Sequence, residues 1–191
     1  MGSIFSQTIS TNPSNCLPRS RLAKVIFIGA ENVGKTSILT RFNNDSFNMD
    51  IPPTRGADLV RITLPNNHVQ NNPRSQPPIE TLLIWDCAGA ERYWYLVPPF
   101  TRDARVVVAV YDVTRQKSFE DVLRKVEIWE SSLTRIILVG NKVDLDEKEV
   151  ESAVVEEVAG RMRYGFAETS ARSGVGVKGL FEMIEGFVNG D

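Results

Sequence analysis

The sequence contains little cysteine and histidine. Its 191 residues include two cysteines and a single histidine. Cys16 lies in a polar N-terminal segment and Cys87 at the end of an apolar run, so the two do not form a disulfide framework. His68 stands alone in an Asn-rich segment, and no Cys or His pair has the spacing of metal ligands. These absences exclude a disulfide-rich secreted module and a Cys/His zinc site, and they fit a reducing compartment.

The sequence also lacks a charge imbalance and a long apolar run. Its 22 Lys and Arg residues and 24 Asp and Glu residues leave a formal net charge of −2. A nearly neutral surface has no global attraction for nucleic acid, so we expect no nucleic-acid partner. No apolar run reaches the roughly 18 residues that a membrane span needs, and the N-terminus lacks a signal-peptide layout. We expect a cytoplasmic protein that meets a membrane only if a lipid is attached.

One domain is expected to account for most of the chain. With 42% hydrophobic residues, 191 residues can bury one ordinary core. Residues 1–20 are rich in Ser, Thr, Asn and Pro, and we predict that they form a disordered leader. The folded domain is placed at residues 21–189. Within it, the Asn-, Pro- and Gln-rich segment 65–78 predicts a long hairpin loop.

Apolar runs alternate with helical patterns along this domain. Strands are predicted at Ala23–Gly29, Leu82–Asp86, Val106–Tyr111, Ile136–Asn141 and Gly165–Thr169. One helix is predicted from a four-residue repeat of Val150, Val154, Val158 and Met162. Another is predicted from a face that carries Val177, Leu180, Phe181, Ile184, Phe187 and Val188. This alternation predicts an α/β fold with a mostly parallel sheet, helices on both faces, and a ligand at the carboxyl ends of the strands.

A glycine-rich loop follows the first predicted strand and opens a helix. Its sequence, GAENVGKT from Gly29 to Thr36, matches the pattern G-x-x-x-x-G-K-[ST]. In such a loop the backbone N–H groups hold phosphate oxygens, Lys35 bridges the β- and γ-phosphates, and the Thr36 hydroxyl ligates Mg²⁺. We predict a nucleoside triphosphate site that comprises Glu31, Asn32, Val33, Gly34, Lys35, Thr36 and Ser37.

A second polar motif, Asn141-Lys142-Val143-Asp144, ends the fourth long strand. A fixed carboxylate accepts hydrogen bonds from N1–H and the 2-amino group of guanine, and adenine offers neither donor there. Asp144 therefore predicts guanine selectivity. Lys142 would lay its aliphatic stem on the ring, and Asn141 would tie this loop to the phosphate loop. In the later run Ser170-Ala171-Arg172, the Ala171 N–H would meet guanine O6.

Together these motifs resemble the Ras superfamily of small GTPases, and most closely its Rab branch. The similarity runs from about residue 22 to residue 187. It includes the segments Arg41–Phe47, Thr54–Gly56, Trp85–Gly89, Tyr111–Thr114, Asn141–Asp144 and Glu168–Arg172. The resemblance implies a P-loop NTPase fold with a six-stranded, mostly parallel sheet. It also implies a molecular switch that binds GTP and GDP with Mg²⁺ and hydrolyses GTP.

The resemblance also implies roles for individual residues. Thr54 corresponds to the first-switch threonine, which contacts Mg²⁺ and the γ-phosphate only in the triphosphate state. Phe47 corresponds to a residue that packs against the guanine ring. Asp86 is implied to hold Mg²⁺ through a water, and the Gly89 N–H to contact the γ-phosphate. Loss of that phosphate would release both switch loops.

Two positions depart from the family pattern. Ala90 stands where the family carries the glutamine that orients the attacking water, and a methyl group can neither donate nor accept a hydrogen bond. We expect slow intrinsic hydrolysis, unless a water or a residue of a partner replaces the glutamine. Glu31 stands in the phosphate loop where Ras and Rab proteins usually have a small residue. Its carboxylate would either weaken γ-phosphate affinity or obstruct an arginine supplied by a partner.

Partner contacts and membrane attachment also differ from the Rab pattern. Three aromatic positions at which Rab proteins meet effectors correspond here to Leu59, Trp85 and Phe100, and the first of these is not aromatic. No cysteine follows Cys87, so we expect no C-terminal prenylation. The start of the chain fits the N-myristoylation pattern with Gly2 as the acceptor, although Met-Gly-Ser is also a common expression-vector start.

Three functions remain open at this point. The first is a switch with slow hydrolysis, in vesicle traffic or membrane signalling, that recruits effectors in its GTP form. The second is a pseudo-GTPase that stays bound to GTP and acts as an interaction module. The third is a P-loop phosphotransferase, which the guanine-reading motif and the lack of an acceptor-substrate segment disfavour. We favour the first.

Overall fold

Six strands and four helices alternate along the described part of the chain. A computed structural model describes residues 22–64, 79–90, 103–127 and 134–190. The strands are β1 Leu22–Ile28, β2 Ala57–Thr63, β3 Thr81–Cys87, β4 Val106–Asp112, β5 Arg135–Asn141 and β6 Gly165–Thr169. The helices are α1 Lys35–Asn44, α2 Gln116–Val126, α3 Ser152–Met162 and α4 Val177–Asn189. The predicted leader, the predicted hairpin loop 65–78, Gly2 and Phe100 lie outside the described residues.

The strands form one sheet in the order β2-β3-β1-β4-β5-β6. Neighbouring strands are parallel except β2 and β3, which pair antiparallel. The predicted α/β fold with a six-stranded, mostly parallel sheet is confirmed. Because β1 lies between β3 and β4, the strand order changes direction at β1. A crevice outside the carboxyl end of such a strand is where open α/β sheets bind ligands.

Helices cover both faces of the sheet, as predicted. Successive side chains of a strand point to opposite faces. Val25 and Phe27 of β1 therefore pack in one apolar cluster with α1 and α4. Ile26 and Ile28 of the same strand pack in another with α2 and α3. Every residue of β4 is buried, as expected for a central strand with both faces covered.

The apolar face predicted for α4 is confirmed. Its buried residues are Val177, Leu180, Phe181, Ile184 and Val188, and Phe187 packs partly buried against the same cluster. The sequence prediction omitted α2, although the buried residues Phe119, Val122 and Val126 recur at helical spacing. No helix among the described residues has the length and apolar character needed to cross a bilayer.

The apolar face predicted for α3 is wrong in part, although Val158 packs partly buried against the same cluster as α2. Val154 is 51% exposed and Met162 is 39% exposed, whereas Val155 and Ala159 are buried. Val150 is buried but precedes the helix, which begins at Ser152. Successive helix residues are about 100° apart, so a face centred on Val155 and Ala159 leaves Val154 on the side that faces solvent.

Adjacent valines of α3 allow a direct test of this orientation. We expect Val155→Ala to lower the free energy of unfolding by about 1.5–3 kcal/mol, because it removes two methyl groups from a fully buried site and leaves a cavity. Val154→Ala should change it by no more than about 0.5 kcal/mol, because that side chain is half exposed. Urea denaturation of both variants measures the difference. Equal losses would contradict the orientation of α3.

Candidate functional site

The glycine-rich loop joins β1 to α1 at the carboxyl edge of the sheet. Gly29 and Gly34 have φ values of 145° and 95°. A Cβ on Gly29 would lie 2.1 Å from the Val110 carbonyl oxygen, and one on Gly34 would lie 2.2 Å from Asn141 Nδ2. Both positions therefore require glycine for conformation and for space. No side chain among the described residues caps the N-terminus of α1, so its N–H groups are suited to an anion.

Lys35 lies inside this loop and is 6% exposed. Its Nζ donates hydrogen bonds to the carbonyl oxygens of Gly29 at 3.1 Å and Ala30 at 2.8 Å. Burial lowers the pKa of Lys35 to about 8, and the Asp86 carboxylate opposes this effect. A phosphate group beside Nζ would supply the negative charge that a buried ammonium group needs.

The predicted Mg²⁺ ligands converge beside the loop. Thr36 Oγ1 donates to Asp86 Oδ2 at 2.5 Å and lies 3.2 Å from Thr54 Oγ1. Asp86 is 1% exposed, and its Oδ1 has no hydrogen-bond partner among the described residues. Burial raises the pKa of Asp86, although Thr36 and Lys35 oppose the shift. A buried carboxylate with a free oxygen and two hydroxyls form an oxygen donor set that fits Mg²⁺.

The donor set has few carboxylates. Among the described residues, no group of three or more His, Cys, Asp or Glu side chains is arranged to hold a metal ion. A divalent ion held here would therefore rely on the single carboxylate of Asp86, on the hydroxyls of Thr36 and Thr54, and on oxygens from water and a bound phosphate. Mg²⁺ commonly keeps several waters and is shared between one or two carboxylates and substrate phosphates.

Asn141 joins the phosphate loop to the guanine motif. Its Nδ2 donates to the carbonyl oxygen of Val33 at 2.8 Å, which is the tie between the two loops expected from the sequence. Its Oδ1 accepts from the Thr169 hydroxyl at 3.2 Å and from the Ala171 N–H at 3.1 Å. The Ala171 N–H, expected to meet guanine O6, thus donates to Asn141 in this structure. One buried amide connects three segments that are distant in sequence.

Asp144 faces a cavity of about 400 Å³ next to the phosphate loop. Its Oδ1 accepts a hydrogen bond from Ser170 Oγ at 2.6 Å, which fixes the orientation of the carboxylate. Phe47, Lys142, Ala171 and Arg172 also line this cavity. The residues predicted to contact a guanine ring are therefore brought together around one space.

A smaller cavity of about 150 Å³ adjoins this space on the phosphate side. The two cavities share the lining residues Asn32, Gly34, Ser37 and Ile51. The smaller cavity is also lined by Glu31, Lys35, Thr36, Thr54 and Gly89. The structure therefore makes one continuous cleft with a carboxylate at one end and a buried lysine at the other.

Sequence analysis missed Asp112, the last residue of β4, which is 2% exposed. Its carboxylate accepts from Lys142 Nζ at 2.6 Å, Thr114 Oγ1 at 2.7 Å and Arg115 Nε at 3.2 Å. Arg115 Nη2 also donates to the Glu31 carbonyl oxygen at 2.9 Å. Burial acts to raise the pKa of Asp112, but hydrogen bonds from Lys142 and Thr114 hold this pKa below its ordinary value. Asp112 thus links the guanine motif to the phosphate loop.

Gly89 and Ala90 lie against the phosphate loop. A Cβ on Gly89 would lie 2.4 Å from the Ala30 carbonyl oxygen and 2.5 Å from the Glu31 nitrogen. Ala90 is 8% exposed, and with Gly89 and Glu31 it lines a further cavity of about 610 Å³ beside α2. The two departures from the family pattern therefore lie around a common space, so their effects on hydrolysis can interact.

Two of the three predicted partner-docking positions are neighbours at the edge of the sheet. Leu59 of β2 lies opposite Trp85 of β3 in the antiparallel pair. Leu59 is 54% exposed. Lys24 Nζ lies 5.8 Å from the centre of the Trp85 ring. The third position, Phe100, is outside the described residues.

We expect Asp112→Asn to release bound GDP faster, by about 10- to 100-fold. An amide cannot give Lys142 and Arg115 the ionic partner that they have in the wild type, and hydrogen bonds to charged groups contribute about 1.5–3 kcal/mol. Stopped-flow release of a fluorescent GDP analogue measures the rate. Asp121→Asn is the matched control, because Asp121 pairs with the exposed Arg124 on α2. An unchanged release rate in Asp112→Asn would argue against the link.

Asp112→Asn should also change how the free energy of unfolding depends on pH in the acidic range. Because the folded-state pKa of Asp112 is lowered, its stabilising effect is present above the ordinary Asp pKa of about 3.9 and is lost as the pH falls through the lower folded-state value. The wild type should therefore lose free energy of unfolding more steeply than Asp112→Asn below about pH 4. Urea titrations at several acidic pH values measure both slopes, and parallel slopes would contradict the assignment.

A comparison with known protein families identifies the fold and the cleft together. The family model described as Ras family matches residues 24–188 of the 191-residue chain. The match runs from β1 to α4 and includes the phosphate loop, both predicted switch positions Thr54 and Gly89, and the guanine motif. Proteins of this family bind GTP and GDP and hydrolyse GTP. The chain therefore belongs to the Ras family and is a GTP-binding small GTPase of the switch type.

Proposed function

We propose that the protein is a Rab-like, guanine-nucleotide-dependent switch with slow intrinsic GTP hydrolysis. The observation that carries this proposal is the continuous cleft between Lys35 and Asp144. At one end the Ser170 hydroxyl fixes the Asp144 carboxylate, and at the other the Lys35 ammonium lies in the phosphate loop. The Asn141 amide holds the two ends together. A guanine base and a phosphate chain are the ligand chemistry that these ends accept.

The selectivity for guanine rests on the fixed carboxylate of Asp144. Its oxygens can accept the N1–H and 2-amino donors of guanine at the same time. Adenine has an acceptor at N1 and no 2-amino group, so it would give the Asp144 carboxylate no donor from the base. The protein is expected to bind GTP and GDP and to reject ATP.

Mg²⁺ would be held by Thr36, by Asp86 through a water, and in the triphosphate state by Thr54. When bound, the ion supplies positive charge to the β- and γ-phosphate oxygens. Lys35 would hold those same phosphates, and the Gly89 N–H would donate to the γ-phosphate. Loss of the γ-phosphate removes the partner of both Thr54 and Gly89, which is the physical basis of the switch.

Slow hydrolysis is supported by Ala90 and Glu31. The Ala90 methyl cannot orient an attacking water, and it is nearly buried beside the phosphate loop. The Glu31 carboxylate adds negative charge close to the position of the γ-phosphate, where charge already accumulates during phosphoryl transfer. A partner that supplies an amide and an arginine would restore the missing groups.

A pseudo-GTPase that stays bound to GTP is the second candidate. Ala90 supports this candidate, because a site without the glutamine side chain would retain GTP for longer. Single-turnover hydrolysis with and without a cell extract separates the two candidates, because only the switch is accelerated by a partner protein.

The assignment to the Rab branch, and with it a role in vesicle traffic or membrane signalling, is supported by sequence similarity in Arg41–Phe47 and Tyr111–Thr114. Effectors and regulators would contact the switch surface at Leu59, Trp85 and Phe100. Attachment to the cytoplasmic face of a membrane would depend on an acyl group at Gly2. One myristoyl chain binds membranes only marginally, so a second signal would be required.

We expect Asp144→Asn to change the nucleotide preference from guanine toward xanthine. The asparagine NH₂ can donate to the 2-oxo group of xanthine, which replaces the 2-amino group of guanine. Competition binding with GDP, XDP and ADP measures the preference. Asp146→Asn serves as the control, since Asp146 is exposed and close in sequence. Equal binding of GDP and ADP by the wild type would refute the guanine assignment.

We expect Ala90→Gln to raise intrinsic GTP hydrolysis by about 2- to 10-fold, the range that one added hydrogen bond supports. Unassisted Ras-like sites hydrolyse GTP at only roughly 10⁻⁴–10⁻³ per second, so the gain is limited. The double variant Ala90→Gln/Glu31→Gly should exceed either single variant, because it also removes a like charge. Single-turnover assays with saturated protein measure all four rates. One common rate would show that neither residue limits hydrolysis.

A further inference from the structure

Arg41 of α1 reaches across to the loop that follows β6. Its Nε donates to the Ala171 carbonyl oxygen at 2.8 Å, and its Nη2 donates to the Arg172 carbonyl oxygen at 2.6 Å. Its Nη1 donates to the backbone oxygen of Asp45 at 3.0 Å. The Arg41 side chain is only 16% exposed. The guanidinium thus holds two successive carbonyl groups of the loop through two nitrogens in one rigid plane, whereas the ammonium of lysine is a single point of attachment on a flexible stem.

These two hydrogen bonds fix the orientation of two peptide groups. In a planar trans peptide the C=O and N–H bonds point in opposite directions. With the Ala171 and Arg172 carbonyls turned toward Arg41, the N–H groups of Arg172 and Ser173 point away from it. The Ser173 N–H donates to Ser170 Oγ at 3.0 Å, and Ser170 Oγ donates to Asp144 Oδ1 at 2.6 Å.

Asn141 holds the same loop from within the site. The Ala171 N–H donates to Asn141 Oδ1, while the Ala171 carbonyl accepts from Arg41. Both Ala171 and Arg172 line the cavity that Asp144 faces. The backbone at this wall of the cavity is therefore held from two sides by two side chains, one of which comes from α1.

We propose that Arg41 is a positioning residue for guanine recognition. It holds the Ala171–Arg172 backbone so that an N–H of this loop donates to the 6-oxo group of the base, and Arg41 itself touches no nucleotide. The inference rests on the proposed guanine-nucleotide function, and it adds a determinant of base selectivity on a helix that otherwise serves the phosphates.

Three diphosphates separate this role from a general effect on folding. GDP has the 6-oxo acceptor, the N1–H and the 2-amino group. IDP lacks only the 2-amino group. In 6-thio-GDP a sulfur, which is a weak acceptor, replaces the 6-oxo group, whereas both donors to Asp144 remain. A substitution that acts through the 6-oxo contact therefore weakens binding of GDP and IDP and leaves binding of 6-thio-GDP nearly unchanged.

We expect Arg41→Gln to weaken GDP and IDP binding by about 3- to 10-fold, the range for loss of one hydrogen bond. Binding of 6-thio-GDP should change by less than about twofold, because this ligand gains little from the contact. Arg41→Lys should also weaken GDP and IDP binding, because an ammonium group has no fixed planar pair of donors to orient both carbonyls. It also provides the test if the glutamine variant does not fold. Isothermal titration with Mg²⁺ present measures all affinities.

Asp45→Asn is the matched control. It removes the ion pair between Asp45 Oδ1 and Arg41 Nη1, and asparagine tolerates the left-handed backbone that Asp45 adopts, with φ 47°. The ratio of GDP to 6-thio-GDP affinity should remain that of the wild type. If Asp45→Asn changed the ratio of GDP to 6-thio-GDP affinity as much as Arg41→Gln does, the effect would belong to the ion pair and the proposal would be overturned.

Two further results would overturn the proposal. Equal weakening of all three ligands by Arg41→Gln would show a general structural role, and wild-type behaviour of Arg41→Lys would show that charge alone is sufficient. Neither result affects the proposed function, which depends on wild-type binding of GDP. If the wild type does not bind GDP, the proposed function fails before Arg41 is tested.

Discussion

The buried amide of Asn141 is the contact on which the site depends. Its donor reaches the phosphate loop at Val33, and its acceptor holds Thr169 and Ala171 after β6. Few side chains can do this, because the position requires a donor and an acceptor at fixed angles on one nearly buried group. The amide turns three loop segments, each at the end of a different strand, into one cleft. A Cβ on Gly34 would occupy the place of its nitrogen.

The cleft contains buried charges that are only partly compensated by protein groups. Lys35 is turned toward backbone carbonyls, and Asp86 keeps an oxygen without a partner among the described residues. Both pKa values are shifted by burial toward the neutral form. A phosphate group beside Lys35 and a divalent cation beside Asp86 would supply the opposite charges, so binding of both would offset the cost of burying these two groups.

The two ends of the cleft are built differently. The base end is held by side chains whose partners belong to the protein, through Asp112, Ser170 and Arg41. At the phosphate end, Thr54 and Gly89 line the smaller cavity, and under the proposed function they would contact the γ-phosphate, which leaves on hydrolysis. This division gives a fixed recognition site and a part that responds to the γ-phosphate. Ala90 and Glu31 lie at the phosphate end, so under the proposed function they would change turnover without changing the contacts to the base.

The sequence by itself determined the phosphate loop, the guanine motif and the core strands, because each depends on local order: glycines before a helix, a carboxylate after a strand, or apolar β-branched runs. It also determined the buried face of α4. Only the tertiary structure decided which face of α3 is buried, since docking against the sheet selects Val155 rather than Val154. Only the tertiary structure showed that Asp112 contacts Lys142 of the guanine motif and that Arg41 contacts the loop after β6. Arg41 and Ala171 are 130 residues apart, and no local pattern records a contact that exists only after the sheet has assembled.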